Sequence, residues 1–271
     1  MIRFAIFVDG SNLVGCLRDM NVRIDDYQAF YRHIFDEAVD TWKDSGAVSP
    51  APALQLRRVY WYEVGSIDDW NLSDPKAQVH LRERFEADKD VKRTYMALAG
   101  EKLKGAPQEA VVKEAWGMCF HEFQDWYERK CGLLDGMRRF HHAIRGTTDF
   151  VDVIECGHWK VDFLHRTVTE KGLDASLAVD MVALADNYDV ALVLSGDADS
   201  IPSINYVKTR NKHVGVVEFV SGYPPDKKGK SFSSRLGLAA DFVVRVYEMS
   251  LVTKGIAKKP DMAGAVAVGV V

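Results

Sequence analysis

Six short runs rich in Val, Ile, Phe and Tyr, separated by helical patterns, constrain the fold of this chain more than any other feature. These strand-like runs cover residues 2–10, 56–64, 150–158, 190–197, 213–220 and 240–248. Helical spacing of apolar residues occurs at about 25–44, 76–145 in several pieces, 174–187 and 200–211. Strands that alternate with helices are typical of a mostly parallel sheet with helices on both faces, so the sequence predicts the α/β class.

The stretch from about 74 to 148 does not follow this alternation. It has almost no strand signal, and its aromatic residues, such as Trp116, Phe120 and Phe123, recur at helical spacing. A parallel crossover needs only about a dozen residues with its helix, so the sequence predicts a helical insertion between the second and third strands. We therefore expect one domain over residues 1–250, interrupted at about 74–148, and a flexible tail over 251–271.

Composition narrows the class of protein without identifying a ligand. With 47% hydrophobic and 27% charged residues, the 271-residue chain resembles an ordinary globular protein, and its net charge of −4 neither favours nor excludes nucleic acid. The four cysteines form no CxxC pair, which favours free thiols in a reducing compartment. No secretory leader pattern opens the chain and no apolar run approaches about 20 residues, so we expect a cytoplasmic protein without a membrane partner.

Two short polar segments follow predicted strands. "FVDGSN" puts Asp9 and Asn12 in the loop after the first strand, and "SGDADS" puts Ser195, Asp197 and Asp199 after the fourth. Turn formation or helix capping could explain either segment alone. Ligands of parallel sheets bind outside the carboxyl ends of strands, so these two segments predict a shared site if their strands are neighbours.

A third acidic segment, "KGLDASLAVDMVALADN", lies at 171–187. Asp174 stands where a helix N-cap belongs, and capping alone could account for it. Asp180 lies among Ala, Val, Leu and Met, in a helix that reads as hydrophobic all round and therefore buried. A buried Asp must be hydrogen-bonded, ion-paired or bound to a metal. Lys171 could stabilise a phosphate or be a solvated surface lysine.

This set of oxygen donors predicts a hard-cation site. Carboxylates with Asn and Ser oxygens, and no His or Cys cluster, suit Mg²⁺ or Mn²⁺ better than Zn²⁺. A divalent cation held this way completes its shell with phosphate oxygens and activates a water molecule for attack on a phosphodiester. We therefore take Asn12, Ser195 and Lys171 as candidate substrate-binding residues. No P-loop or GxGxxG motif occurs, which excludes those nucleotide-binding classes.

Two basic segments are further candidates for contact with a nucleic acid strand. "RRFHHAIR", residues 138–145, contains Arg138, Arg139 and Arg145 around an aromatic residue. The alternative for this segment is a solvated helix end. A second basic loop, "DKKGKSFSSR", covers 226–235 after the fifth strand.

Five blocks in order resemble the NYN domain, in the LabA-like branch of the PIN-like nucleases. The blocks are "FVDGSN", "KGLDASLAVD", "LVLSGDADSIPSI", "VGVVEF" and "AADFVVRV", and the resemblance covers about 1–64 and 150–248. It implies a PIN-like α/β fold and a metal-dependent endoribonuclease that uses Mg²⁺ or Mn²⁺ on RNA. The positions that match the family's acids and its Asn are Asp9, Asp180, Asp197 and Asp199 as metal ligands, Asp174 as a further catalytic acid, Asn12, and Asp241 in a less certain role.

The resemblance leaves alternatives open. The insertion is not part of the common domain, so we expect it to select substrate or to bind a protein partner or a second copy. A non-catalytic RNA-binding or scaffold protein with a PIN-like fold is the second hypothesis. A HAD-like phosphatase is the third, but it needs a second Asp two positions after its nucleophile, and Ser11 stands there after Asp9.

Overall fold

The computed structural model describes residues 1–44, 52–224 and 232–260. Its strands are β1 (Ile2–Asp9), β2 (Arg23–Ile24), β3 (Leu54–Ile67), β4 (Val151–Asp162), β5 (Thr167–Lys171), β6 (Val190–Leu194), β7 (His213–Val220), β8 (Phe242–Tyr247) and β9 (Ala257–Lys258). Its helices are α1 (Gly10–Asp19), α2 (Tyr27–Asp44), α3 (Pro75–Ala87), α4 (Lys89–Lys102), α5 (Gln108–Thr147), α6 (Leu173–Ala183), α7 (Ile201–Thr209), α8 (Ser234–Ala239) and α9 (Glu248–Thr253).

Seven strands form one sheet in the order β5-β4-β3-β1-β6-β7-β8. The pairs β1–β3, β1–β6, β6–β7 and β7–β8 are parallel, and β4–β5 is antiparallel. The predicted α/β class is therefore confirmed. All six predicted strands are present, whereas β5 was not predicted because "TVTEK" has no apolar run and its residues are exposed or half-buried.

Helices cover both faces of the sheet. Phe4, Ile6 and Val8 of β1 pack into one core with α2, and Phe7 packs into the other core with α6 and α7. This alternation follows from the two-residue period of a strand. It also means that Asp9, two residues after Phe7, lies on the face that α6 and α7 cover.

The loop predicted around Asp9 and Asn12 is instead the start of a helix. α1 begins at Gly10, and Asp9 is its N-cap, whose Oδ1 accepts a hydrogen bond from the Asn12 backbone N–H at 2.9 Å. The letters "DGSN" suit a turn and a helix start equally well, so the pattern alone did not separate the two. Gly10 is required by space, because a Cβ there would lie 2.1 Å from Oε1 of Glu63.

The chain divides into two compact units. The first contains residues 1–65, 139–157 and the chain from 172 onward, and the second contains 66–138 and 158–171. The second unit has its own core, which includes Phe85, Phe123 and Phe163. The expected insertion, 74–148, stays a prediction about domain boundaries; α3, α4 and most of α5 belong to the second unit, together with the end of β4 and β5.

The first residues of the expected tail, 251–271, are part of the fold. Leu251 of α9 is buried, and Ala257 of β9 pairs with Ile24 of β2. These apolar residues pack into the core beside α2, which holds the segment in place. Residues 261–271 lie outside the described part of the chain. In the described ranges, no helix is long and apolar enough to cross a lipid bilayer.

Candidate functional site

The parallel pairing of β1 with β6 brings the two short polar segments together. β1 and β6 are adjacent, with Val8 opposite Leu194, so Asp9 and Ser195 follow at the same level. The Ser195 hydroxyl donates to Oδ2 of Asp9 at 3.3 Å, and its oxygen accepts from the Asp197 backbone N–H at 3.2 Å. The shared site required these two strands to be neighbours, and they are. Ser195, expected to contact substrate, is buried and links the two acidic turns.

The same register extends across five strands and defines a row of polar side chains. Asp9 is opposite Tyr62, Val193 is opposite Val216, and Glu218 is opposite Arg245. From β3 to β8, this polar row consists of Tyr62, Asp9, Ser195, Glu218 and Arg245. The row crosses the carboxyl edge of the sheet, where parallel sheets bind ligands.

All members of the polar row project to the face covered by α6 and α7. Tyr62 is itself in that core, and each of the others follows by two residues a side chain in or against it: Phe7, Val193, Val216 and Val243. Sequence reasoning missed Tyr62, Glu218 and Arg245. The signal for Glu218 was present, since it is a charged residue inside the apolar run of β7.

Asp197 and Asp199 occupy the turn after β6. Asp197 caps a short 3-10 helix (Ala198–Ser200) by accepting a hydrogen bond from the Asp199 backbone N–H at 3.2 Å. Both side chains are exposed. Capping therefore explains Asp197 in part, whereas the Asp199 carboxylate remains available to a ligand.

Asp174 lies in the first turn of α6 but does not cap it. The N-cap is Gly172, at φ 89°, and no side chain caps this helix. Burial and, after it, the charges of Asp197 and Asp199 raise the pKa of Asp174. Like charges disfavour each other's ionisation, so Asp174 lies within electrostatic range of Asp197 and Asp199 at the carboxyl edge. With Asp9 they form what we call the acidic cluster.

Asp180 is half-buried, and its helix is not buried all round as predicted, because Val179 is 64% exposed. The Tyr62 hydroxyl donates to Oδ2 of Asp180 at 3.0 Å. Burial, and then the Asp180 charge, raise the pKa of Tyr62, so the phenol stays a donor. Among the described residues, no Lys or Arg pairs with Asp180. The structure thus favours a hydrogen-bonded acid over a buried salt bridge.

Asp174 and Asp180 face different ways. Six residues in a helix turn through about 600° and advance about 9 Å, which puts the two carboxylates on different sides of α6. Asp174 is near Asp197 and Asp199, whereas Asp180 is held toward β3 by Tyr62. The five predicted acids therefore do not point at one spot in this structure.

The donor chemistry fits a hard divalent cation, but the ligands are not gathered. Carboxylate oxygens suit a bound cation, and so does the pKa of Asp174, which is raised by burial and then by the charges of Asp197 and Asp199. Within residues 1–44, 52–224 and 232–260, however, no three His, Cys, Asp or Glu side chains lie close enough to share one ion. The expected ligand set of Asp9, Asp180, Asp197 and Asp199 is not assembled as a single group there.

Three other predicted residues have different surroundings. Asn12 accepts a weak hydrogen bond from the Cys16 thiol at 3.6 Å, and Lys171 is exposed at the end of β5. Asp241 accepts from the Val214 backbone N–H at 2.7 Å and pairs with Lys208 at 2.8 Å. Because Val214 is the second residue of β7, Asp241 lies at the opposite edge of the sheet and serves structure there.

The basic segment 138–145 is not one continuous basic surface. The Arg145 guanidinium donates to the Val153 carbonyl and lies 3.6 Å from Glu155, and Arg138 lies 3.4 Å from Asp135. His141 is buried, 3.5 Å from Glu63. Arg139 is exposed, and among the described residues none pairs with it. Residues 226–231 of the second basic loop lie outside the described ranges.

Comparison with known proteins finds a family model that matches part of the chain. Residues 134–243 match the model of the NYN domain. Asp174, Asp180, Asp197 and Asp199 lie inside the match, and Asp9 lies outside it. A solved structure of a protein of unknown function from Vibrio parahaemolyticus RIMD 2210633 is 18% identical, with a TM-score of 0.41, over 90% of this chain and 93% of that one. No curated protein matches the chain.

Proposed function

We propose that the chain is a metal-dependent endoribonuclease that hydrolyses phosphodiester bonds of RNA. The observation that carries this proposal is the link from Asp9 through Ser195 to Asp197 across adjacent parallel strands. It is supported by the electrostatic influence of Asp197 and Asp199 on Asp174, and by the NYN match over 134–243.

The residues that would hold Mg²⁺ or Mn²⁺ are Asp9, Asp180, Asp197 and Asp199, with Asp174 as a further catalytic acid. A bound divalent cation neutralises phosphate charge and lowers the pKa of a water molecule. The chain's own part is to position the acids: Asn12 and Ser195 fix the Asp9 carboxylate, and Tyr62 fixes Asp180. Without a cation, the acidic cluster repels an RNA backbone, because both are negatively charged.

The finer assignments follow the resemblance. We place the chain in the LabA-like branch and expect single-stranded or structured RNA as its substrate. A protein partner or a second copy at the insertion, and a cytoplasmic location, remain predictions of the sequence.

A substrate panel tests the proposal. Purified protein is incubated with single-stranded RNA, single-stranded DNA and a phosphomonoester, each with Mg²⁺, Mn²⁺ or EDTA. We expect internal cleavage of RNA with either metal and none in EDTA. Hydrolysis of the monoester alone would support a phosphatase instead. Tight RNA binding without cleavage under any condition would support the scaffold hypothesis.

A further inference from the structure

We propose that Arg245, held in place by Glu218, binds a phosphate of the RNA strand beside the acidic cluster. The proposal rests on the proposed function for the identity of the ligand as RNA.

The pair is built into the sheet. Glu218 and Arg245 are opposite each other on the parallel strands β7 and β8, and Nε of Arg245 donates to Oε2 of Glu218 at 3.0 Å. The Glu218 side chain is 3% exposed, whereas that of Arg245 is 54% exposed. A buried carboxylate thus anchors one nitrogen of a guanidinium whose other end faces solvent.

The free end of this guanidinium is suited to a phosphate. Its two Nη atoms donate to no group among the described residues. Arginine presents its donors in a rigid planar fork that matches two phosphate oxygens, and anchoring at Nε lowers the entropy lost on binding.

The position of Arg245 relates it to the acids. It belongs to the polar row, on the same face and at the same level as Asp9 and Ser195. Three strand spacings separate β1 from β8, which is about 14 Å. A strand of RNA whose scissile phosphate lies at the acidic cluster can therefore place another of its phosphates beside Arg245. A positive charge there also offsets the repulsion from the acids.

The phosphate contact of Arg245 is tested by measuring RNA binding under conditions that prevent cleavage. Fluorescence anisotropy measures the Kd of a labelled single-stranded RNA in EDTA over a range of salt concentrations. We expect Arg245→Gln to raise Kd about 5–10-fold and to reduce the slope of log Kd against log salt by about 0.7, the value for one phosphate contact on a single strand. The matched control is Arg210→Gln, because Arg210 is 53% exposed and pairs with Asp186 at 3.7 Å outside the polar row. It should bind as wild type does.

A second variant distinguishes loss of the phosphate contact from misfolding. Removing Arg245 alone leaves a buried carboxylate without its arginine, which is costly. The double variant Glu218→Gln/Arg245→Gln replaces the ion pair by a neutral hydrogen-bonded pair, so it should fold and show the same loss of affinity and slope.

The outcomes separate this proposal from the proposed function. If wild type cleaves RNA but Arg245→Gln and the double variant keep its Kd and salt slope, the pair is only structural and the proposal is overturned. If wild type does not cleave RNA but both variants show the expected loss of binding, the nuclease assignment is contradicted and the phosphate contact is supported. Wild type that neither binds nor cleaves RNA would overturn both.

Discussion

Asp180 is half-buried, and its carboxylate accepts a hydrogen bond from the buried Tyr62. A substitution can therefore remove the charge of Asp180 and keep this hydrogen bond. Asn keeps an acceptor for the Tyr62 hydroxyl and removes only the charge. We expect Asp180→Asn to lose most RNA cleavage while its free energy of unfolding changes by less than about 1 kcal/mol. Cleavage assays and urea unfolding measure the two effects.

Tyr62→Phe is the matched control for Asp180. It keeps the ring in the core and removes the donor to Asp180. We expect a smaller loss of cleavage than for Asp180→Asn, with a cost of about 1 kcal/mol in stability. An Asp180→Asn protein that unfolds readily but keeps its specific activity would mean that the carboxylate serves the fold alone.

The sequence predicted where Asp9 and Asp197 lie but not how Asp180 is held. The first two follow apolar strand runs directly, so strand ends locate them as soon as β1 and β6 are neighbours. The partner of Asp180 depends on the register of β3 against β1, which sets Tyr62 opposite Asp9. No local pattern in the sequence carries that register.

The start of α1 depends on a glycine that space requires. A Cβ on Gly10 would lie 2.1 Å from Oε1 of Glu63 and 2.5 Å from Nε1 of Trp61, two buried groups that are hydrogen-bonded to each other at 2.7 Å. We expect Gly10→Ala to lower stability by about 1–3 kcal/mol. Gly15→Ala on the same helix meets no atom within 4 Å and should raise stability by up to about 1 kcal/mol. Equal effects in chemical unfolding would show that Glu63 does not restrict position 10.

The pairing of β1 with β6 is also fixed at its other end, by Arg3 and Asp189. The Arg3 backbone N–H donates to Oδ2 of Asp189 at 2.8 Å, and its guanidinium lies 3.0 Å from Oδ1. The hydrogen bond from the Arg3 side chain lowers the pKa of Asp189 below its usual 3.8. The pair therefore stabilises the fold above about pH 4, and this stability is lost as pH falls through the lowered pKa.

Thermal melts across pH test this pair. We expect Asp189→Asn to melt a few degrees below wild type at pH 7, since the pair is partly exposed and screened. The gap should narrow below pH 3.8. Asp186→Asn changes an acid that is 89% exposed and should show no such pH dependence. A gap that persists unchanged at pH 2.5 would mean that the Asp189 charge is not the cause.

The alternation of strands and helices predicted the sheet and the helices on both of its faces, because buried apolar runs leave a clear period. It did not predict β2, β5, β9, α1, α8 or α9. β9 has two residues, and β5 is built from exposed or half-buried polar residues, so neither has an apolar signature. Helical spacing did predict α3, α4 and α5, but the end of β4 and β5, which belong to the same unit, cannot be found from that period.

The basic segment of α5 has one arginine whose role a single variant can test. Arg139 is exposed and unpaired among the described residues, whereas Arg145 is engaged with Val153 and Glu155. If α5 contacts RNA, Arg139→Gln should weaken binding about threefold for all RNA sequences and lower the salt slope. Arg93→Gln, in an exposed pair with Asp90 on α4, is the control. Binding of Arg139→Gln equal to that of wild type at every salt concentration would leave this segment a solvated helix end.

We propose that the acidic cluster is the catalytic centre, and a substitution of Asp9 tests this proposal most directly. Asn caps a helix as well as Asp does, so Asp9→Asn removes the charge and keeps the cap on α1. With Mg²⁺ or Mn²⁺ we expect wild type and the control Asp186→Asn to cleave single-stranded RNA alike. Asp9→Asn should lose at least about 100-fold in kcat/KM, or about 2.7 kcal/mol, with little change in Tm. Cleavage by Asp9→Asn at the rate of wild type would contradict the account.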